Sequence, residues 1–223
     1  MSCHRLVRPL AVLALAVFLI PAVAPSALAE KKAPAKAIRV AILPFVNSSA
    51  EIGATKILGD VMAEQVKKID KSRATFLLPQ DVERILTDHN KVGVVYQIAD
   101  RWGTTSTLDS TAVAGLESLL MVDAVLCVKI SEWESHRVPV IGAGESSSTV
   151  GLAMAIFDVR TKARIWNKNP REQRFSAELD ISSSHVNYDE TGFIQRSSDN
   201  APPRIEVVAS DLVRDALKTF PAK

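Results

Sequence analysis

Between residues 38 and 45 the chain reads IRVAILPF, with Ile38, Val40 and Ile42 on one side and Ala41 and Leu43 on the other. Apolar residues on both sides predict a strand covered on both faces. The period then changes. From about residue 53 to residue 69, Ile57, Leu58, Val61, Met62, Val66 and Ile69 recur at helical spacing, and Lys56, Asp60, Glu64, Lys67 and Lys68 take the other side. This is an amphipathic helix laid on a sheet. Residues 74–78 (ATFLL) predict a short second strand, and Pro79 ends it and opens a helix carrying Val82, Ile85 and Leu86. Strand–helix–strand–helix implies a parallel crossover, right-handed by default. In the next stretch Val92, Val94, Val95, Tyr96 and Ile98 are apolar, whereas Trp102-Gly103-Thr104-Thr105 reads as a loop. A further helix is expected to start at Asp109 or Ser110, either of which can cap it, and to carry Val113, Leu116, Leu119 and Leu120.

The second half has a different rhythm. Residues 123–133 form an expected strand with Ala124, Leu126, Val128 and Ile130 on one face and Val125, Cys127 and Lys129 on the other. A connector over 134–147 follows, then strands over 148–159 and 163–167 joined by the turn Arg160-Thr161-Lys162. These three strands read as an antiparallel meander. The small residues Gly151, Ala153 and Ala155 on one side of the middle strand fit close packing of a helix. Residues 169–200 are polar and Ser-rich; Phe175, Ala177, Leu179 and Ile181 alternate, so a strand can continue there, and 182–200 reads as a long flexible loop. After Pro202-Pro203, Ile205, Val208, Leu212, Val213, Ala216, Leu217 and Phe220 define the apolar side of a last helix. The fold class is therefore α/β: a single mixed sheet (β-α-β-α, then a helix and an antiparallel meander, then a C-terminal helix) with helices packed on it.

The N-terminus changes the picture of where this domain works. Arg5 and Arg8 precede an apolar run over 10–20, and Ser26-Ala27-Leu28-Ala29 carries small residues where signal peptidase cuts. The run is shorter than the roughly 20 residues that span a bilayer. Residues 1–29 are read as a signal peptide, 30–37 (EKKAPAKA) as a linker and 38–223 as one domain that includes the polar segment 182–200. Removing the two signal arginines from 27 basic and 25 acidic residues leaves the remainder balanced at 25 each. No basic excess marks a nucleic-acid binder. Cys3 leaves with the signal, so Cys127 has no partner for an intramolecular disulfide, and its apolar surroundings make it a buried small hydrophobe. No cysteine follows the cleavage site to carry a lipid.

Candidate chemistry is sparse. His89, His136 and His185 have no metal-ligand spacing to one another or to Cys127, and His185 with Asp189 lies in an expected loop. Neither G-x-S-x-G nor H-E-x-x-H occurs. Gly142-Ala143-Gly144-Glu145 lacks a lysine and joins two strands, so the glycines are turn residues, not a phosphate loop. No catalytic, cofactor-binding or metal residue is assigned, and no cofactor is expected. What stands out is Val138-Pro139-Val140-Ile141, an apolar cluster inside a polar connector. Such clusters mark contact sites, so Val138, Val140 and Ile141 are the candidate partner-binding residues. The alternative is that the connector folds back and packs on the sheet.

Four stretches resemble a known superfamily. They are Arg39-Val40-Ala41-Ile42-Leu43-Pro44-Phe45-Val46-Asn47, Asp81-Val82-Glu83-Arg84-Ile85-Leu86, the pair Val122-Asp123-Ala124-Val125-Leu126 and Ile130-Ser131-Glu132-Trp133, and Phe157-Asp158-Val159-Arg160-Thr161-Lys162-Ala163-Arg164-Ile165-Trp166. In order and spacing they are similar to the superfamily of the curli secretion channel lipoprotein (CsgG-like), the lipoprotein activators of penicillin-binding proteins (LpoB-like) and the TolB amino-terminal domain. The resemblance covers about residues 38–167. It implies a non-catalytic periplasmic module of the bacterial cell envelope, accessory to envelope assembly or secretion, which binds other envelope proteins or forms homo-oligomers. Such a module is exported and sits in the periplasm or peripherally at the outer membrane. Two other readings stand beside it: an oligomeric outer-membrane secretion component of the curli-channel type, and an uncharacterised hydrolase. The first needs hairpins that reach lipid; 134–147 is short for that, and 169–200 lacks the sustained alternation of about ten residues per strand.

The signal reading predicts that the protein in its native host begins at Glu30 and leaves with the periplasmic fraction. N-terminal sequencing after fractionation checks this; a detergent-resistant oligomer in a salt- and alkali-washed outer-membrane pellet would instead favour the channel reading.

Overall fold

Residues 37–108, 110–113, 115–138, 145–176, 187–188, 194–195 and 201–220 are described by the computed structural model. Ile38–Ile42 is β1, and after a break at Leu43-Pro44-Phe45 the same run continues as β2 (Val46–Asn47). Helix α1 (Ala54–Val66) leads to β3 (Ala74–Leu77), which lies parallel to β1. Helices α2 (Pro79–Asp88), α3 (Val92–Thr105), α4 (Ser110–Val113) and α5 (Leu116–Leu120) follow. Two long strands, β4 (Ala124–His136) and β5 (Ser147–Asp158), pair antiparallel along their length. The short strands β6 (Arg164–Lys168) and β7 (Arg171–Phe175) both pair with β5, at its two ends. The sheet order is β3-β1-β4-β5-β6, with β2 on β4 and β7 on β5. Helix α6 (Ile205–Lys218) closes the chain. A separate small pair, β8 (Asn187–Tyr188) with β9 (Ile194–Gln195), lies where the sequence reads as loop; the rest of 182–200 is outside the described residues.

The expected fold class holds: one mixed sheet, parallel through β3, β1 and β4 and antiparallel through β5 and β6, with helices on it. Parity along the strands sorts the core into two layers. Val40, Ile42, Leu126, Val128, Met154 and Ile156 face α1 and α6, and Ala41, Leu43, Val125, Cys127, Ala155 and Phe157 face α2 to α5. The apolar stripes of α1 and α6 lie over the first face, fixed to each other by Gln65 Nε2 donating to Ser210 Oγ at 2.8 Å. Beyond the end of α6, Phe220 meets Phe76 of β3 edge-on, with centroids 5.2 Å apart, and its carbonyl accepts from Arg73 at 2.7 Å. Each fully buried Leu or Ile of these layers contributes about 1.5–3 kcal/mol over its exposed state. Cys127 is buried as expected, and desolvation pushes its thiol up to about 12, so it stays protonated at neutral pH.

Three expectations are overturned. Trp102 to Thr105 are not a loop; α3 runs through them to an end set by Ser106 in the left-handed conformation. Trp102 is buried in the second core layer, and a Cβ on Gly103 would sit 2.6 Å from Val46 Cγ1, so the glycine lets α3 approach β2. The threonines that look like loop residues return their hydroxyls to the helix: Thr104 to the Asp100 carbonyl at 3.1 Å and Thr105 to the Arg101 carbonyl at 2.7 Å. Lys129 on β4 donates to the Gly103 carbonyl at 2.7 Å, placing a cation at the negative end of the helix. The helix expected next is broken into α4 and α5, with Gly115 at φ +105° between them. Strand β4 also outruns its expected end at 133 and reaches His136, so the connector is shorter than the sequence predicts.

Gly103→Ala tests the helix–strand approach. Alanine gains about 1 kcal/mol of helix propensity, but overlap with Val46 costs about 1–3 kcal/mol, and overlap wins. Thermal denaturation should show a lower Tm for the single variant. In a Val46→Ala background the two γ-methyl contacts at 2.6 and 3.0 Å are gone and Val46 Cβ at 3.1 Å is the nearest atom left, so Gly103→Ala should lower Tm less there than in the wild type.

Candidate functional site

The connector that carries Val138 is the tip of the β4–β5 hairpin, and its stem is pinned by hydroxyls. His136 pairs with Ser147 in the last rung of the ladder. Beyond it the Val138 N–H donates to Ser146 Oγ at 2.9 Å, the Ser146 N–H to Ser176 Oγ at 3.2 Å, and the Ser176 N–H back to the Ser146 carbonyl at 2.7 Å. Ser148 Oγ donates to the Pro203 carbonyl at 2.6 Å, tying the stem to the segment that enters α6. Ser146, Ser147, Ser148, Thr149 and Ser176 are all buried. A run of serines in sequence predicts solvent; here the hydroxyls of Ser146, Ser148 and Ser176 have backbone partners, which is what burial of a hydroxyl requires. A second tie runs beside it: Arg174 of β7 reaches Glu172 at 2.6 Å and Asp211 of α6 at 2.8 Å, and its guanidinium holds the Asp211 carboxyl below the ordinary carboxylate range.

The stem widens into a three-stranded ribbon of β4, β5 and β7 with matched rows: Glu132–Gly151–Arg171, Glu134–Thr149–Gln173 and His136–Ser147–Phe175. Arg171 Nε bonds both Glu132 carboxylate oxygens, at 2.9 and 3.0 Å, across Gly151. The central column is buried between longer outer side chains, of which Glu134, His136, Gln173 and Phe175 are exposed. Phe175, 53% exposed, is the large apolar side chain that the ribbon presents to solvent, in the row next to the tip.

Of the residues singled out in the sequence, Val138 is half-buried on the stem. Val140, Ile141 and the glycines 142 and 144 lie outside the described residues. The structure adds Phe175 and the buried hydroxyls to the neighbourhood of Val138. Phe175 is part of an alternation visible in the sequence, but its pairing with Ser147 is long-range and has no local signal. His89 caps α2, His136 ends β4, and His185 lies outside the described residues. Among the described residues, no group of three or more His, Cys, Asp or Glu side chains is placed to hold a metal ion, and no helix is long and apolar enough to cross a membrane.

No protein-family model matches the chain, and no curated protein does either. Solved structures do match. The hypothetical protein CT253 from Chlamydia trachomatis is 15% identical, covers 82% of this chain and 95% of its own, and superposes with a TM-score of 0.50. The PelC dodecamer from Paraburkholderia phytofirmans is 14% identical over 85% of this chain and 91% of that one, with a TM-score of 0.46. The LpoB C-terminal domain from Salmonella enterica is 16% identical over 64% and 87%, with a TM-score of 0.37. CT253 shares the fold of this chain. Lipoprotein GNA1162 from Neisseria meningitidis also matches, at 14% identity over 65% of this chain and 88% of that one, with a TM-score of 0.46.

Ser148→Ala removes a buried hydroxyl that donates to the half-buried Pro203 carbonyl. The expected loss is about 1–3 kcal/mol, read as a lower midpoint in urea; Ser135→Ala, whose hydroxyl is 3.5 Å from Ser148 Oγ on an exposed residue, should change it by less than about 0.5 kcal/mol.

Proposed function

We propose that this protein is a non-catalytic interaction module of the bacterial cell envelope, exported to the periplasm and accessory to envelope assembly or secretion, which captures a partner protein with the tip of its β4–β5 hairpin. The observation that carries this reading is the pinned stem. The hydroxyl bonds fix the backbone at Val138, and exposed Phe175 stands across β5 from β4 in the row of His136, so apolar side chains are carried on a rigid support. Preorganisation of this kind lowers the ordering cost of association, and aromatic anchors dominate such contacts. The N-terminal pattern of Arg5, Arg8, the apolar run and Ala27 with Ala29 supports export. The motif order over 38–167 supports an envelope role. Val140 and Ile141, which follow Val138 in sequence, are further partner-binding residues in this reading.

The test is partner cross-linking in the native host with the wild type, with Val140→Asp/Ile141→Asp, and with Phe175→Asp. Each variant should lower recovery of one defined envelope partner about tenfold or more while Tm stays within about 2 °C of wild type. Unchanged recovery from both variants would overturn the assignment of the tip. Recovery of hydrolysed small substrate, or of a detergent-resistant outer-membrane oligomer, would replace the reading altogether.

A further inference from the structure

At the other end of the sheet from β6 and β7, β3 is the outermost strand, and no described strand pairs with its outer side. Its register decides which backbone groups point there. The Ile38 N–H donates to the Arg73 carbonyl at 3.1 Å, so in this parallel ladder Arg73, Thr75 and Leu77 turn their polar groups toward β1. Ala74, Phe76 and Leu78 turn theirs outward. The Ala74 N–H is taken by the Asp70 carbonyl at 3.2 Å, and the Leu78 carbonyl by the first turn of α2. The Ala74 carbonyl, both backbone groups of Phe76 and the Leu78 N–H are left facing away from the sheet.

Beside these groups, on the α1 side, runs an apolar groove lined by Ala63, Val66, Ile69, Phe76 and Leu78. Lys67 and Lys71 stand at its margin. Its one lining carboxylate, Asp81, is paired with Arg84 at 3.0 Å, whereas neither lysine has an ion-pair partner among the described residues. The lining thus carries two lysines against one ion-paired carboxylate.

We propose that the β3 edge is a second docking site, which takes an extended acidic segment of a different protein as an added strand. Main-chain hydrogen bonds to Ala74, Phe76 and Leu78 hold the segment, alternate apolar side chains fill the groove, and carboxylates meet Lys67 and Lys71. The charge also selects against a second copy of this chain. On β6, at the opposite end of the sheet, Arg164 and Lys168 have no ion-pair partner among the described residues, and setting that edge against β3 would bring cations onto the groove lysines. This surface is separate from the hairpin tip and does not depend on the partner captured there.

The experiment places a photo-cross-linking residue at exposed Thr75 in the full chain, in its native host, and sequences the cross-linked peptide. The expected product is one segment of another protein, acidic and alternating in apolar residues. Lys67→Glu/Lys71→Glu should lower its yield about tenfold or more with Tm unchanged, and Val140→Asp/Ile141→Asp should leave the yield as in wild type. A cross-link to β6 or β7 of a second copy, a basic segment, a yield indifferent to the lysine reversal, or no defined product would each overturn the proposal. Loss of the hairpin-tip partner with this cross-link intact would tell the two sites apart.

Discussion

Up to Ile130 the even-numbered residues of β4 face α1 and α6; at Trp133 an odd-numbered residue does. The change of phase is a β-bulge between Ile130 and Glu132, where Ser131 is the extra residue and the ladder resumes with Glu132 opposite Gly151. Without it, Glu132 and Glu134 would turn toward the start of α6 and Trp133 toward solvent. Burying those carboxylates unpaired would cost several kcal/mol each. Gly151 belongs to the same device, since a Cβ there would sit 2.8 Å from Ser131 Oγ and 3.1 Å from Glu132 Cβ. The three-stranded ribbon, the Glu132–Arg171 pair across Gly151, and the aim of the hairpin tip all follow from this one inserted residue.

What could be read from the sequence depended on whether an element's cause was local. The faces of β1 and β4, and the stripes of α1 and α6, were legible because their periodicity is strong and each buries a whole side. Trp102 to Thr105 were misread because Gly and Thr are locally turn residues; the reason for helix there is Val46, more than fifty residues earlier, and no window contains both. The end of β4 was missed for a different cause. Glu134, Ser135 and His136 are exposed polar residues in the ladder with β5, so no apolar alternation announces them. At the candidate site, Val138 stood out against polar neighbours, but the burial of Ser148 depends on Pro203, 55 residues away, and was invisible.

The two halves of the sheet are covered unequally. Helices lie on both faces where β1, β3 and the first part of β4 run parallel, as parallel strands require. Past the bulge, α6 and Trp133 cover one face, while Glu134, His136, Gln173 and Phe175 leave the other to solvent. Antiparallel strands tolerate that arrangement. The same chain thus builds a closed α/β body that supplies stability and an antiparallel extension with an open face. Shared strands β4 and β5 transmit the rigidity of the first to the second.

The two edges of the sheet are built differently, and the difference bears on how this molecule meets others. On β6 and β7, Arg164, Lys168, Arg171 and Arg174 stand along the edge, and two of them are bound into ion pairs with Glu132, Glu172 and Asp211. Inserting a strand there would strand or displace those charges, which is how natural sheets discourage edge pairing. On β3 the outward backbone belongs to Ala74, Phe76 and Leu78, and the adjoining groove is apolar. Only the lysines at its margin discriminate, and they do so by sign of charge. On the proposal above, an edge guarded at one end and receptive at the other would accept one added strand, and Arg164 and Lys168 on the guarded edge would repel the groove lysines of a second copy.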